Sequence, residues 1–200
     1  TRPTHYNTSW DFARFEVCAH KWIDISENGY GISVLNDCKY GCDIHNGEIG
    51  LTMLKSAVYP NPDADKEHHS FTWSIAPHEG GWREGNTVAK AYVLNNPYQT
   101  AVKENEGGNL PVSYSFVQAD KENVVIEAVK KAEDSDAVIV RLYECYNRRG
   151  QTTLTFPRPV KRAVICNMLE EKMEEVLCCE VNKVPVQLKP YEIVTIKIEF

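Results

Sequence analysis

The sequence predicts an all-β protein, an antiparallel β-sandwich with a smaller C-terminal β-sandwich portion. Short segments rich in Val, Ile, Tyr and Phe recur along the chain, and Gly, Pro, Asn and Asp separate them, which is typical of many strands joined by turns. In the last segment, Val194, Ile196, Ile198 and Phe200 fall on one side of an extended chain, and polar residues fall on the other. Similar segments predict strands over residues 14–20, 31–35, 48–54, 71–76, 88–94, 112–117, 124–129 and 137–143.

Helical patterning is poor, and only residues 168–177 have a helix-forming composition. Their glutamates leave few apolar positions for a buried stripe, so a short helix or a solvated loop would both fit. The turn His45-Asn46-Gly47 is better marked, because Asn-Gly supplies the two positive-φ positions of a tight hairpin. Residues 59–67 contain two prolines and are mostly polar, which predicts an exposed loop.

A change of composition at residues 103–109 predicts a boundary, because glycines and charges replace apolar spacing there. We therefore expect a β-sandwich region over residues 1–104 and a smaller β domain over residues 110–200. Two β layers, or one sandwich followed by a smaller one, would both satisfy the strand count.

The bulk composition excludes several classes of function. With 42% hydrophobic and 25% charged residues the chain should fold, and its net charge of −6 argues against a nucleic-acid partner. The sequence has no apolar run of about 20 residues that could cross a membrane. Seven cysteines without a C-x-x-C pair favour reduced thiols and a cytoplasmic location, where the glycosylation triplet Asn7-Thr8-Ser9 is silent. The start at Thr1 in place of Met indicates a piece of a longer chain.

The first forty residues are unusually dense in polar and aromatic groups. Aromatic faces pack on the C–H groups of sugars while carboxylates, amides and cations bind hydroxyls, so this mixture suits a carbohydrate site. It also suits a domain interface or a buried polar network, which we favour. The residues concerned are His5, Tyr6, Asn7, Trp10, Asp11, Arg14, Glu16, His20, Trp22, Asp24, Asp37, Lys39 and Tyr40.

Glycoside hydrolysis needs two carboxyl groups about 5 to 9.5 Å apart. Asp11 with Glu16, or Asp63 with Asp65, could be proposed, but 28 acidic residues make chance pairs plentiful. A catalytic role for either pair is therefore weakly supported by the sequence.

A metal site is the other chemistry to weigh, since His68, His69 and His78 lie close in sequence and zinc favours imidazole. Adjacent side chains on a strand point to opposite faces, and the spacing matches no zinc-finger or zincin pattern. We therefore expect surface histidines and no metal site in this chain. No cysteine stands beside a base, and Cys18 and Cys145 fit small core residues better than nucleophiles.

Several long motifs of the chain are compositionally unusual. They are Arg2-Pro3-Thr4-His5-Tyr6-Asn7-Thr8-Ser9-Trp10-Asp11, Ala13-Arg14-Phe15-Glu16-Val17, Ala19-His20-Lys21-Trp22, Asp24, Ser26-Glu27, Gly29-Tyr30-Gly31 and Leu35-Asn36-Asp37-Cys38-Lys39-Tyr40-Gly41. These motifs resemble glycoside hydrolase family 38, and more narrowly the cytoplasmic branch of its α-mannosidases. Weaker similarity continues through Phe71-Thr72-Trp73, Pro77-His78 and Arg141-Leu142-Tyr143-Glu144.

This resemblance implies that the bond-breaking groups lie elsewhere. In the family, the aspartate nucleophile, the acid/base residue and the ligands of the divalent metal, zinc or cobalt, belong to an N-terminal α/β barrel that this sequence does not contain. The C-terminal part is a supersandwich-like β structure that packs on the catalytic domain, and some of its loops reach the active-site rim. The family reaction is retaining hydrolysis of α-mannosides through a covalent glycosyl-enzyme.

The resemblance also assigns candidate site residues, for which we expect interface or substrate-rim roles. The loop 63–66 aligns only loosely with an Arg-rich active-site loop of secretory relatives, which puts a substrate contact by Lys66 in doubt. The eight candidates are His5, Asn7, Trp10, Asp11, Arg14, Asp37, Lys39 and Tyr40.

The sequence thus predicts a non-catalytic C-terminal β domain of a cytoplasmic α-mannosidase that removes terminal α-D-mannosyl residues from oligosaccharides. Expected partners are the N-terminal catalytic domain of the same enzyme, a mannose-containing oligosaccharide and further copies of a homo-oligomeric parent. The expected fragment holds no cofactor and is inactive alone. Two rivals remain open: an autonomous carbohydrate-binding module and a purely oligomer-forming domain.

Overall fold

The structure, a computed structural model, describes residues 5–102, 107–109, 111–176 and 180–200, with the backbone alone for residues 173–176. Within these residues the chain forms fourteen strands and two short helices. It divides into two compact units, Thr1–Val102 and Lys103–Phe200. This division falls beside the glycine-rich segment 103–109, and the domain limits 1–104 and 110–200 stay a prediction. Neither described helix is long and apolar enough to span a membrane.

The first unit contains two three-stranded antiparallel sheets, in the orders β1-β4-β5 and β2-β3-β6. Asn46 and Gly47 adopt φ values of 49° and 81° between β4 and β5, so the predicted Asn-Gly hairpin is confirmed. The two sheets meet through Ile23, Cys42 and Ile44, which are buried. The elements are α1 (Ser9–Ala13), β1 (Glu16–Cys18), β2 (Trp22–Glu27), β3 (Tyr30–Asn36), β4 (Gly41–His45), β5 (Glu48–Leu51), β6 (Trp73–Glu79) and α2 (Thr87–Asn95).

The second unit is a β-sandwich of a three-stranded and a five-stranded antiparallel sheet, in the orders β7-β10-β13 and β8-β9-β14-β11-β12. Both sheets send alternate side chains into one core, as the period of two requires. Its strands are β7 (Gln118–Ala119), β8 (Val124–Lys131), β9 (Val138–Glu144), β10 (Gly150–Thr155), β11 (Arg162–Cys166), β12 (Lys172–Val176), β13 (Lys183–Leu188) and β14 (Ile193–Glu199). Buried core residues include Val140, Leu142, Leu154, Phe156, Val184, Val186, Ile196 and Ile198. The all-β sandwich prediction is thus confirmed.

The predicted strand over residues 88–94 is wrong, because this segment lies within helix α2. Small side chains four residues apart, Thr87 and Ala91, are buried against the first unit's sheet. Asn95, one turn later, donates from Nδ2 to the backbone oxygen of Asn36 at 3.0 Å. In the sequence, alternating Val and Ala residues fit a strand as well as a helix, so the four-residue spacing of the buried side chains was not recognised.

The helical alternative for residues 168–177 is also wrong. Residues 168–171 form a turn, and β12 follows and pairs antiparallel with β11. Pairing at the sheet edge satisfies backbone groups, which outweighs the helix propensity of the glutamates. Leu177, the end of the predicted segment, lies outside the described residues.

The predicted strand over residues 112–117 is likewise wrong, since pairing begins only at Gln118. The ring of Phe116 packs edge-on against Phe156 and Phe200, at centroid distances of 6.3 and 5.8 Å. Side-chain packing therefore fixes this segment without a strand ladder. The exposed loop predicted at residues 59–67 is confirmed, as no strand or helix occurs there.

Glu144, at the end of β9, is a buried carboxylate that joins three turns of the second unit. Its residue exposure is 1%. Oε1 accepts from Asn123 Nδ2 and the Tyr146 amide, both at 2.8 Å, and Oε2 accepts from the Tyr191 amide at 3.0 Å. Burial alone would raise the pKa of Glu144, but the hydrogen bonds from Asn123 and from the backbone amides of Tyr191, Tyr146 and Arg148 lower it overall.

We predict that Glu144→Gln lowers the free energy of unfolding at pH 7 by about 3 kcal/mol, because a buried charge-assisted acceptor is replaced by an amide group that also presents hydrogens. Since the folded pKa lies below the unfolded one, the carboxylate stabilises the fold above its unfolded pKa, and this contribution is lost as the pH falls through the folded value. The variant should therefore lose stability less steeply in acid.

Urea unfolding of the chain at several pH values measures both effects. Glu122→Gln is the control, because the side chain of Glu122 is 77% exposed. An unfolding free energy that falls equally steeply in acid for wild type and Glu144→Gln would contradict the assignment.

Candidate interface and substrate-rim site

The N-terminal segment is anchored on the β4–β5 hairpin. His5 Nδ1 lies 3.0 Å from Asn46 Oδ1. One residue on, the ring of Tyr6 stacks on His45 with a centroid distance of 4.2 Å. The tight Asn-Gly turn therefore positions the beginning of the chain.

Helix α1 follows and presents aromatic side chains outward. Thr8 caps it: the Asp11 amide donates to Thr8 Oγ1 at 3.2 Å, and the Thr8 amide donates to Asp11 Oδ2 at 3.1 Å. The carboxylate of Asp11 is thus engaged in capping. Trp10 is 75% exposed, and Asn7 and Arg14 are exposed as well.

Asp37 lies directly after β3 and is held by a distant segment. Its Oδ2 accepts the Thr72 amide at 2.9 Å, and its own amide donates to the Thr72 carbonyl at 3.2 Å. The adjacent Cys38 thiol and the Thr72 amide lower the pKa of Asp37. The same carboxylate raises the pKa of Cys38, so this exposed thiol is not an activated nucleophile.

Lys39 and Tyr40 follow Asp37 closely in the chain, and each of them contacts a ring of another segment. Lys39 Nζ sits 5.3 Å from the centroid of the Phe71 ring, a cation–π contact. The rings of Tyr40 and His20 are 4.3 Å apart, and the Tyr40 hydroxyl donates to the Asp37 carbonyl at 3.3 Å. Charge, imidazole and aromatic faces therefore meet at one surface, which we call the Asp37–Tyr40 cluster (Asp37, Lys39 and Tyr40 with His20 and Phe71).

Two buried polar atoms at the start of this cluster have no hydrogen-bond partner among the described residues. They are Nδ2 of Asn36, a residue only 1% exposed, and Oδ1 of Asp37. The Asn36 amide orientation is fixed, because its Oδ1 accepts the Lys39 amide at 3.0 Å. Such groups normally have protein or water partners.

Seven of the eight predicted residues fall into two groups by their contacts within the described chain. His5, Asn7, Trp10 and Asp11 belong to the segment that rests on the hairpin. Asp37, Lys39 and Tyr40 form the other group. Arg14 lines a hollow of about 710 Å³ in the first unit, whose wall also includes Trp22, Asp24, Trp82 and Arg83.

The carboxylate pairs weighed as catalytic candidates are engaged in local structure. Asp11 caps α1, and Glu16 Oε1 accepts the Thr52 hydroxyl at 3.0 Å. Asp63 pairs with Lys66 at 2.9 Å. Oδ2 of Asp65 accepts the Ser56 amide at 2.9 Å and the next amide upstream at 3.2 Å. Neither pair shows the free acid and nucleophile that hydrolysis needs.

His78 is not the surface histidine that the sequence predicts. It is 8% exposed, and His69 is half-buried, with Nε2 3.1 Å from the Asp65 carbonyl; only His68 is fully at the surface. The described residues contain no group of three or more His, Cys, Asp or Glu side chains that could hold a metal ion.

A buried polar network around His78 is the feature that sequence reasoning missed. His78 Nε2 and Ser33 Oγ both lie 2.7 Å from Asp24 Oδ2, and Thr87 Oγ1 is 2.6 Å from Ser33 Oγ. The four side chains come from β6, β3, β2 and the first residue of α2. The one available signal was the recurrence of small or polar residues at alternate positions of β3, which ordinarily indicates a solvent-facing side.

The network superficially combines the residue types of a hydrolytic triad, but its geometry is not catalytic. Ser33 Oγ donates to Asp24 Oδ2, and His78 Nε2 lies 2.7 Å from the same oxygen. The serine proton is therefore directed at the carboxylate, whereas in a hydrolytic triad it is directed at the imidazole. Side chains of Asp24 and His78 are 4% and 3% exposed, which also leaves a substrate no access. The network joins three strands to a helix.

Two glycines give the His78 ring its space. A Cβ at Gly85 would lie 2.8 Å from His78 Cβ, and a Cβ at Gly31 would overlap the far side of the ring and lie 2.8 Å from Ser26 Cβ. Real Cβ atoms do not approach that closely, so any side chain at either position displaces the imidazole from Asp24.

We predict that Gly85→Ala destabilises the protein by about 1–3 kcal/mol, because overpacking a filled core forces side chains off their rotamers. The midpoint of thermal unfolding measures this. Gly150→Ala is the matched control, since a Cβ there meets nothing within 4 Å. Equal midpoints for the two variants would show that the ring is not confined.

Comparison with known families gives two matches within one family. The glycosyl hydrolases family 38 C-terminal domain matches residues 1–63. The C-terminal β-sandwich domain of the same family matches residues 123–196. Together the two models cover more than half of the chain and include all eight predicted site residues.

Two sequence relatives are also α-mannosidases. The chain is 40% identical over 202 residues to alpha-mannosidase G of Dictyostelium discoideum, a match that covers 98% of the chain and 18% of that protein. It is 39% identical over 172 residues to alpha-mannosidase 2C1 of Homo sapiens, covering 84% of the chain and 16% of that protein. The chain thus spans less than a fifth of either relative.

A solved structure shares the fold. The crystal structure of an alpha-mannosidase from Enterococcus faecalis superposes on 99% of the chain, and on 23% of its own, with a TM-score of 0.76 at 18% identity. Since two family models, two relatives and the fold agree, this chain belongs to glycosyl hydrolase family 38, as a C-terminal domain of an α-mannosidase.

Proposed function

We propose that this chain is the non-catalytic β domain of a cytoplasmic enzyme that hydrolyses terminal α-D-mannosyl residues of oligosaccharides. In this role it supports the N-terminal catalytic domain and contributes the Asp37–Tyr40 cluster to the active-site rim. The observation that carries the proposal is the 40% identity to an α-mannosidase of which the chain spans only 18%. The remaining length is where the bond-breaking groups belong.

The N-terminal segment supports an interface role. Within six residues of chain, Trp10, Phe12 and Phe15 are 75%, 67% and 58% exposed. Large aromatic side chains are the usual anchors of protein interfaces, and exposing several together in water is unfavourable. The capped helix α1 and the His5–Asn46 contact hold this aromatic surface in place for the catalytic domain.

The Asp37–Tyr40 cluster supports a substrate-rim role. Its ammonium group, phenol and imidazole match the hydroxyls and C–H faces of a sugar.

The metal of the parent, zinc or cobalt, would sit in the catalytic domain and not here. The described side chains do not fit such an ion, because no three potential ligands converge. A cytoplasmic location is supported by the cysteines, since Cys18, Cys38 and Cys166 are free thiols in the described part of the chain.

In the full-length enzyme we expect Lys39→Ala to raise KM for an oligomannoside about tenfold at unchanged kcat, because a hydrogen bond to a charged group contributes about 1.5 kcal/mol. Steady-state kinetics measure this, with Lys90→Ala on the exposed face of α2 as the control. Unchanged KM in Lys39→Ala, at unchanged thermal stability, would remove the rim role.

The alternative of an autonomous carbohydrate-binding module is favoured by one observation. In the hollow lined by Arg14 and Asp24, the rings of Trp22 and Trp82 lie 5.1 Å apart, and the Arg83 guanidinium stacks 4.1 Å from the Trp82 centroid. Titration of the chain with mannose or oligomannose, read by tryptophan fluorescence, separates the two functions. Saturable quenching favours the binding module, and a flat titration to millimolar sugar favours the supporting domain.

A further inference from the structure

Asp65 joins the two ends of an exposed loop in the first unit, which we call the 55–65 loop (residues 55–65). Its Oδ2 accepts the Ser56 amide at 2.9 Å and the Lys55 amide at 3.2 Å. Ser56 and Asp65 adopt positive φ values of 49° and 59°, which residues with a side chain rarely do. One carboxylate therefore holds together the two points at which the chain turns, as in compact surface loops that are frequently functional.

The beginning of the 55–65 loop is fixed to the sheet. Thr52, which follows β5, donates its amide to the Gly41 carbonyl at 2.8 Å and its hydroxyl to Glu16 Oε1 at 3.0 Å. Two residues separate this anchor from the first amide that Asp65 binds. The Asp65 carboxylate thus ties the far end of the loop to a fixed point of the β1-β4-β5 sheet.

The chain beyond the loop leads directly to the aromatic partner of Lys39. His69 Nε2 lies 3.1 Å from the Asp65 carbonyl oxygen, a contact that closes one turn of the chain. The centroid of the Phe71 ring lies 5.3 Å from Lys39 Nζ, and the amide of the next residue donates to Asp37 Oδ2 at 2.9 Å. This segment is held at one end by Asp65 and at the other by Asp37, and Phe71 lies between them.

The electrostatics of Asp65 agree with this position. Hydrogen bonds from the Ser56 and Lys55 amides lower its pKa, and the neighbouring His69 and Lys39 lower it further. The carboxylate is therefore ionised at neutral pH. Lys39 is also close enough to Asp65 for the two charges to interact, although the two residues lie 26 positions apart (65 minus 39).

We propose that Asp65 is a positioning residue for Lys39: its carboxylate closes the 55–65 loop and thereby fixes Phe71, so that the Lys39 ammonium group meets the substrate in one orientation. This rests on the proposed rim role of Lys39. A lysine side chain loses rotamer freedom when it binds, and a neighbour that holds it in place beforehand reduces that loss. Asp65 acts through Lys39 and needs no contact with the sugar.

The test is a double-mutant cycle in the full-length enzyme, measured as KM and kcat for an oligomannoside. We expect Asp65→Ala to raise KM at least about threefold at unchanged kcat. Adding Asp65→Ala to Lys39→Ala should raise KM no further, because the side chain through which Asp65 acts is already absent. A merely structural role would lower thermal stability without this non-additivity.

Two further variants make the comparison specific. Asp65→Asn keeps an oxygen that can accept both amides, so its KM should stay within about twofold of the wild-type value. Asp63→Ala is the matched control on the same loop, because the Asp63 side chain is 78% exposed and pairs with Lys66. Its KM should not change. If Asp65→Ala does not fold, Asp65→Glu, which keeps the charge but displaces the carboxylate, takes its place in the cycle.

Unchanged KM in Asp65→Ala, or an increase that adds in full to that of Lys39→Ala, would overturn the proposal. An Asp65→Asn enzyme as impaired as Asp65→Ala would overturn it too. Unchanged KM in Lys39→Ala would defeat the proposed rim role and this inference with it. A raised KM in Lys39→Ala with a normal KM in Asp65→Ala would defeat only the positioning role of Asp65.

Discussion

One carboxylate oxygen, Oδ2 of Asp24, organises the first unit. It accepts hydrogen bonds from both His78 and Ser33, and Ser33 in turn contacts Thr87, so strands β2, β3 and β6 and helix α2 share one buried polar group. Removing a single donor would leave a buried charge incompletely satisfied, which costs more than the lost hydrogen bond is worth. This network decides which face of the sheet α2 covers.

The remaining features of the first unit follow from that choice. Ser33, Ala76 and His78 lie on the face that meets the helix, so Ile32, Val34 and Ile75, at the alternate positions of the same strands, lie on the opposite face. The exposed apolar side chains of β6, Trp73 and Ile75, lie on that opposite face. Acidic and imidazole groups are abundant, but Asp11, Asp24, Asp65 and His78 are all engaged in holding structure. These four side chains therefore contribute to the stability of the fold.

Local patterns predicted much of this fold, and long-range contacts explain the failures. The period of two in β14 and the Asn-Gly pair at residues 46–47 depend only on neighbouring residues, and both were confirmed. Helix α2 was missed because Val and Ala fit either period, and only contact with β3 selects the helix. His78 was misplaced because its partners Asp24 and Ser33 lie 54 and 45 residues away.

The candidate site, too, was predicted correctly where it depends on local sequence and missed where it depends on long-range contacts. Its residue types were foreseeable from the density of polar and aromatic groups in the first forty positions. Their geometry was not, because Asp37 is held by Thr72, 35 residues later, and His5 by Asn46, 41 residues later. Exposure of Trp73 and Ile75 also had no local signal, since apolar residues in a strand ordinarily indicate burial.

The central claim, that the bond-breaking groups lie outside these 200 residues, is tested most directly by the rate at which the purified chain hydrolyses an aryl α-mannoside with zinc or cobalt present. The account predicts the rate of the buffer alone. Turnover that a single change such as Asp24→Asn or Asp37→Asn abolishes would contradict it.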